Sequence, residues 1–249
     1  MFSLVSFVGW IICSYSVRYL DGESEQGNYF RWTGFTVGAV SLMAISGNLL
    51  LFILAWALSS LGLHHLLLFY KHRPAAQRAA WTKFTVSRIG DAALIGTVIL
   101  IYQEFQTLNF TEIFASIRLQ SEFNSPRIMW AISLLVAGAV LKSAQFPFHT
   151  WLPQTLDTPT PVSALMHAGI VNAGGYLMIR TSPLLVLNPT AMTSLALIGT
   201  ITTCYAATVM LTQTSIKKNL AYSTIAQMGF MMLQCGLGAF SAAMLHILA

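Results

Sequence analysis

Apolar residues along this chain come in long, nearly unbroken runs, without the alternation or narrow stripe of an element that faces water on one side. The runs fall at about 2–17, 32–47, 48–70, 89–103, 128–146, 161–180, 191–212, 219–236 and 239–249. A helix needs roughly 20 apolar residues to cross about 30 Å of hydrocarbon, and within it every peptide group must be paired inside the helix. The pattern predicts an all-α, polytopic transmembrane helix bundle with eight or nine spans. The first run has no basic residues ahead of it and no small-residue cleavage site before Arg18-Tyr19-Leu20-Asp21, so it reads as a span and not as a secretion signal. The last run is still apolar at Ala249, where a span would stop in mid-bilayer. The expectation is therefore a chain truncated at its C-terminus and at its N-terminus too. Residues 74–88 differ from the runs: Trp81, Phe84 and Ile89 interleave with Arg78, Lys83 and Arg88. With Pro74 in a first turn, this stretch predicts a helix lying at the inner interface. No linker or soluble domain divides residues 1–249, which read as a single transmembrane domain.

Composition narrows the class further. Apolar residues make up 55% of the 249 and charged residues 8%, against about a quarter in a soluble domain. So few charges cannot cover a water-facing surface, and disorder would need the opposite balance. The net charge of +5 is an orientation signal before it is a hint of nucleic acid, and no nucleic-acid partner is expected. Lys71, Arg73, Arg78, Lys83 and Arg88 form one basic loop without an acid, and Lys217 and Lys218 form another. Arg18 and Arg31 are diluted by Asp21, Glu23 and Glu25, while Glu104, Glu112 and Glu122 oppose Arg118 and Arg127. Alternating through the spans puts the three basic loops on one side, cytoplasmic by the positive-inside rule, and the mixed loop on the other. Cys13, Cys204 and Cys235 lie scattered in apolar stretches and read as small hydrophobes. There is no phosphate-binding loop, dinucleotide glycine pattern, HExxH or CxxC, so no cofactor, metal site or redox centre is expected in this chain.

Ionisable side chains inside apolar runs carry the functional signal, because burying them in lipid costs several kcal/mol unless they are paired or hydrated. Lys142 is the strongest case. It could snorkel to an interface. Yet Ser143 and Gln145 surround it with polarity, Pro147 frees backbone groups, and apolar character resumes at Phe148, Trp151 and Leu152. That combination favours a helix broken within the membrane, around Lys142–Pro153. His149 would share a face with Lys142 if the helix ran on. His167 lies well inside the next run, which Thr160 as N-cap and Pro161 in the first turn would start. Either imidazole could hand on a proton near neutral pH or be structural. Asp91 sits at the inner start of its run, with Arg88 one turn back as a local ion-pair partner. His64 and His65 precede a basic loop, and adjacent positions let at most one face any given path. Lys217 and Lys218 read most simply as topology signals. The stretch Met228, Met231, Met232 reads as packing surface, and Gly174-Gly175 as a site of close helix contact.

Long motifs in the chain resemble one superfamily. Leu141-Lys142-Ser143-Ala144-Gln145-Phe146-Pro147-Phe148-His149-Thr150-Trp151-Leu152-Pro153 is similar to the signature of antiporter-like membrane subunits. These include subunit L of respiratory complex I (subunit 5 in mitochondria) and the large Mrp-type sodium/proton antiporter subunit. The resemblance continues through Thr158 to Ala168 and from Ile216 to Gly229, and Asn48-Leu49-Leu50 and Arg88-Ile89-Gly90-Asp91 also fit. It implies a bundle of about fourteen helices when complete, with a broken helix carrying Lys142 at the membrane midplane. It further implies proton movement along an axis of Lys142, His167, Lys217 and His246, with Asp91 and Arg88 near its mouth. The superfamily's complex I and Mrp members have a glutamate after the tryptophan that matches Trp56; here the position is Ala57. Asp91, His64 or His65 could supply the missing compensation. The run Ser59 to Tyr70 resembles instead the antiporter-like subunit of the two-component inorganic-carbon pump (DabB type). That likeness implies a bacterial inner-membrane protein with a large zinc-containing, carbonic-anhydrase-like partner (DabA type). The alternatives are a proton-pumping subunit of NADH-quinone oxidoreductase among its other membrane subunits, or an Mrp-type antiporter subunit.

Overall fold

A computed structural model describes residues 1–119, 125–155 and 158–248; Glu122 and Ala249, which entered the charge and span readings, lie outside them. Every element among the described residues is a helix, joined by turns, with no strand among them. The chain runs through α1 (Phe2–Tyr19), α2 (Gln26–Ile45), α3 (Leu49–Leu67), α4 (Pro74–Phe105) and α5 (Phe110–Leu119). It continues through α6 (Pro126–Lys142), the short α7 (Trp151–Gln154), α8 (Thr160–Leu165), a π-helical turn at Met166–Ile170 and α9 (Ala173–Arg180). Four helices follow: α10 (Ser182–Leu185), α11 (Pro189–Met210), α12 (Ile216–Gly236) and α13 (Phe240–Leu248). Among the described residues α1, α3, α4 and α11 are long and apolar enough to cross a bilayer. The other expected spans correspond to α2, α6, α12, α13 and the interrupted stretch 160–180.

α3 is the most enclosed of these four long helices, with Leu49, Phe52, Ala55, Trp56, Leu63, Leu66 and Leu67 at most 1% exposed. Its start is fixed by Asn48, whose side-chain oxygen accepts from the backbone N–H groups of Leu50 and Leu51 at 2.9 and 3.3 Å, satisfying donors a helix start leaves open. At the same end Arg180 donates to the carbonyls of Ser46 (2.6 Å) and Ala44 (3.4 Å), closing the free carbonyls at the end of α2. α1, α4 and α11 turn Trp10, Ile95, Ile99, Leu197 and Ile201 outward, as suits a chain whose solvent is lipid.

Two sequence expectations change. Residues 74–88 are not a separate interfacial helix: they continue without interruption into the apolar run as one helix of 32 residues, about 48 Å long. Ala75, Ala76, Ala79 and Ala80 favour helix, no proline follows Pro74, and Ala76, Ala79, Ala80, Lys83 and Ser87 are buried on a face continuous with Asp91, Leu94 and Val98. Asp91 is consequently near the middle of its helix and not at the start of one. The second change is at the start of α8, where Pro159 occupies the N-cap and Thr160 is already helical. The Thr160 hydroxyl lies 3.3 Å from that of Tyr19 instead.

The three basic loops share one end of the molecule. Tyr19 from the first, Tyr70 and Arg73 from the second, and Ser215, Lys217 and Lys218 from the third line a common cleft with Thr158. Asn48, Asn109 and Arg180 gather at other turns: Asn48 donates to Asn109 at 3.0 Å, and Arg180 lies over the Phe110 ring at 5.2 Å.

Candidate functional site

α6 ends at Lys142 because the next residues adopt a left-handed stop. Ser143 donates its N–H to the Ala139 carbonyl at 3.0 Å, Ala144 has φ +51°, and Gln145 reaches back to the Val140 carbonyl at 3.4 Å. This is the capping geometry in which glycine usually fills the left-handed position; an alanine there is strained by about 1–3 kcal/mol. The chain then passes through turns, including a cis Phe146–Pro147 peptide, before α7. The helix is broken where the sequence places Lys142, so the seven-residue face relation between Lys142 and His149 does not apply.

Two glycines let Lys142 cross α4 at backbone distance. A Cβ at Gly90 would lie 2.7 Å from Lys142 Cγ, and one at Gly138 would lie 2.6 Å from Leu94 Cγ and 3.2 Å from the Gly90 carbonyl. With neither side chain present, α4 and α6 meet closely and the Lys142 stem lies across Gly90. Its amine forms a buried salt bridge to Asp91 Oδ1, while Arg88 pairs with Asp91 Oδ2 at 2.7 Å. The same amine sits 4.3 Å from the Trp56 ring centroid, a cation–π contact. One carboxylate thus faces two cations, and the tryptophan of α3 covers the amine from the other side. Among the groups the sequence left open at the Ala57 gap, Asp91 is the one in contact with Lys142.

The histidines occupy other places. His64 is buried, its Nδ1 3.3 Å from the Ala80 carbonyl and its ring against Trp81 and Phe84. His65 stacks on Trp32 at 3.9 Å. His149 is buried beside Phe146 and Tyr205, at centroid distances of 5.7 and 4.9 Å. His167 lies in the π-helical turn, a local widening that often marks functional positions. Ser143 Oγ, Gln145 Oε1, His149 Nδ1 and His167 Nδ1 are buried without a partner among the described residues. Such atoms in a broken-helix region call for water. Gly174 opens room beside them, since a Cβ there would come within 3.1 Å of the Ala139 carbonyl.

Lys217 does not join this buried set: it is exposed in the first turn of α12, on the wall of the basic cleft. His246 is half-buried against Phe230 at 5.7 Å. Sequence reasoning missed Lys83, taken above as a loop charge. It is 2% exposed, and its amine donates to the Ser60 carbonyl at 2.8 Å and lies 2.6 Å from the Ser60 hydroxyl. The available signal was spacing, since Lys83, Ser87 and Asp91 fall four apart on one helical face.

A multi-pass helix bundle with a lysine–carboxylate pair at a broken helix defines a membrane protein of the antiporter-like class. The chain belongs to the NADH:quinone oxidoreductase/Mrp antiporter transmembrane family, whose pattern matches residues 46–249. It is 49% identical over 245 residues to a probable inorganic carbon transporter subunit DabB2 of Halothiobacillus neapolitanus, covering 98% of this chain and 44% of that protein. It is 42% identical over 250 residues to a probable inorganic carbon transporter subunit DabB of Hydrogenovibrio crunogenus, covering 100% of this chain and 48% of that one. NADH-quinone oxidoreductase subunit L of Escherichia coli is 37% identical over 249 residues, with 100% and 41% covered. The chain therefore spans about half the length of the curated relatives it matches. Its fold superposes on a chain of the Mrp complex from Dietzia sp. with a TM-score of 0.89 at 27% identity, covering 99% of this chain and 27% of that one.

Proposed function

We propose that the chain is the proton-translocating part of a membrane subunit in an inorganic carbon transport complex of a bacterial inner membrane. Lys142 is the central carrier, with Asp91 as its counter-ion. The single observation that supports this most is the placement of the Lys142–Asp91 pair at a helix break. A buried ion pair is weak evidence for stability, because desolvation offsets much of the Coulomb gain. Inside a membrane domain its better use is to hold a protonatable amine where charge can be exchanged. Arg88 shares the carboxylate, which weakens the hold of Asp91 on any one cation. His149, His167 and the polar atoms of the break provide the next hydrated positions, and Arg88 stands beside the carboxylate as the second cation. Lys217 and His246 belong to the onward path only if other parts of the assembly extend it to them.

Two features favour inorganic carbon over respiration: the 49% identity to a probable inorganic carbon transporter subunit, and Ala57 at the position where the complex I and Mrp members carry an acid. The partner on this reading is a large zinc-containing, carbonic-anhydrase-like subunit. Replacing Lys142 by alanine should abolish ion-coupled carbon uptake while leaving membrane abundance intact, checked by uptake of labelled inorganic carbon in cells. Wild-type uptake by Lys142→Ala would remove this amine from the mechanism. Co-expression with the zinc partner should restore growth at low carbon dioxide in a host lacking carbonic anhydrase, whereas rescue of NADH-linked respiration would favour the complex I reading.

A further inference from the structure

We infer that Lys83 is a second proton-exchanging amine, one stage outward from Lys142 on a ladder of buried polar groups between α3 and α4. The inference rests on the reading of Lys142 as a proton carrier. On α3, Trp56, Ser60 and His64 recur every four residues and so share a face; on α4, Asp91, Ser87 and Lys83 do the same. The two helices are consecutive and run in opposite directions, so the faces meet in reverse order. Trp56 touches the amine that Asp91 holds, at 4.3 Å. Ser60 touches Lys83, at 2.8 Å from its carbonyl and 2.6 Å from its hydroxyl. His64 touches the Ala80 carbonyl at 3.3 Å, nearly one turn beyond Lys83. Ser60, His64, Lys83, Ser87 and Asp91 are all buried. From Asp91 to Lys83 the ladder rises about 12 Å, and it leads toward the end that carries Lys71 and Arg73, cytoplasmic by the positive-inside rule.

The surroundings of Lys83 are wrong for a structural cation and right for an exchanging one. Among the described residues no carboxylate pairs with it; Arg88 and Lys142 each contact Asp91. A buried ammonium without a counter-ion is costly, and a methionine would fill the same space without that cost. Ser60 accommodates both states of the amine. The charged form donates to the Ser60 carbonyl and hydroxyl. The neutral form donates to the carbonyl and accepts from the hydroxyl through its lone pair. Lys83 lies about two helical turns along α4 from Asp91, which the Lys142 amine contacts, so the two like charges repel across a poorly screened interior. In the transfer itself an N–H bond breaks at Lys83 Nζ and the proton ends on the lone pair of neutral Lys142 Nζ, with the Ser87 hydroxyl and water as carriers. A proton from the His64 side then re-forms the N–H bond. No electron changes hands.

The test is proton flux into liposomes holding a pH-sensitive dye, with the protein reconstituted alongside whatever subunits copurify with it. Lys142→Met should abolish flux. Lys83→Met and Lys83→Arg should each lower it at least about tenfold, since arginine keeps the charge and the donors but cannot release a proton. Ser60→Ala should lower it several-fold. Each variant should show wild-type membrane abundance and copurifying subunits. If Lys83→Met does not insert, Lys83→Arg and Ser60→Ala decide the matter. Wild-type flux in Lys83→Arg, with Lys142→Met inactive, would mark Lys83 as a fixed structural cation and overturn the relay alone. Wild-type flux in Lys142→Met would instead overturn the reading beneath it.

Discussion

Asp91 pairs with two cations at once, and this sets the consequences of changing it. Asp91→Asn leaves Lys142 buried with no carboxylate; breaking a buried pair from one side costs about 3–5 kcal/mol, or else the amine gives up its proton. The expected outcome is loss of transport with a lower unfolding temperature in detergent, measured on the purified protein. Ala57 adjoins the tryptophan that covers the amine, so Ala57→Glu supplies a carboxylate from α3. An added carboxylate favours the charged amine, and the pH at which transport is half lost should move upward. An identical pH profile would show position 57 to be silent. In the Asp91→Asn background the same change should recover part of the lost activity. The sequence offered Asp91, His64 and His65 as groups that could compensate Lys142. It could not choose Asp91 among them, because Asp91 and Lys142 are 51 positions apart and only the α4–α6 crossing brings them together.

At the scale of elements, the site depends on small residues and a left-handed stop. Gly90→Val should drive a side chain into the Lys142 stem, where a Cβ already comes within 2.7 Å. Overpacking of this kind typically costs about 1–3 kcal/mol and should also push the amine from Asp91, so thermal stability and transport should fall together. Helices such as α1, α3 and α11 were legible because hydrophobic length alone requires them. The unbroken α4 was less so, because its first turns are rich in charge and look like an interface when read one residue at a time. Only the face they present, Ala76, Ala79, Ala80, Lys83 and Ser87, shows them to be packed. The π-helical turn at His167 and the left-handed Ala144 had no local signature: glycine is the usual sign of such a stop, and here it is absent.

At the scale of the whole molecule, the convergence of three loops on one basic cleft agrees with the charge reading that put those three loops on a common side. The same end of the molecule receives the α3–α4 ladder of buried polar groups. Affinity purification of the protein from its native membrane should bring down a large zinc-containing subunit, identified by mass spectrometry and bound metal. A set of respiratory subunits in its place would redirect the functional reading.

Hydrophobic run length, the scarcity of charge and the Lys142-to-Pro153 motif determined by themselves that this is a multi-pass helical membrane protein with a broken helix and a buried amine. Those properties follow from what each residue can tolerate in lipid, and that is written locally. Which acid meets the amine, which lysine is buried and not dissolved, and where the histidines stand were decided by the tertiary structure alone. They depend on which helix faces cross and how closely two glycines let them approach, quantities that no stretch of sequence carries by itself.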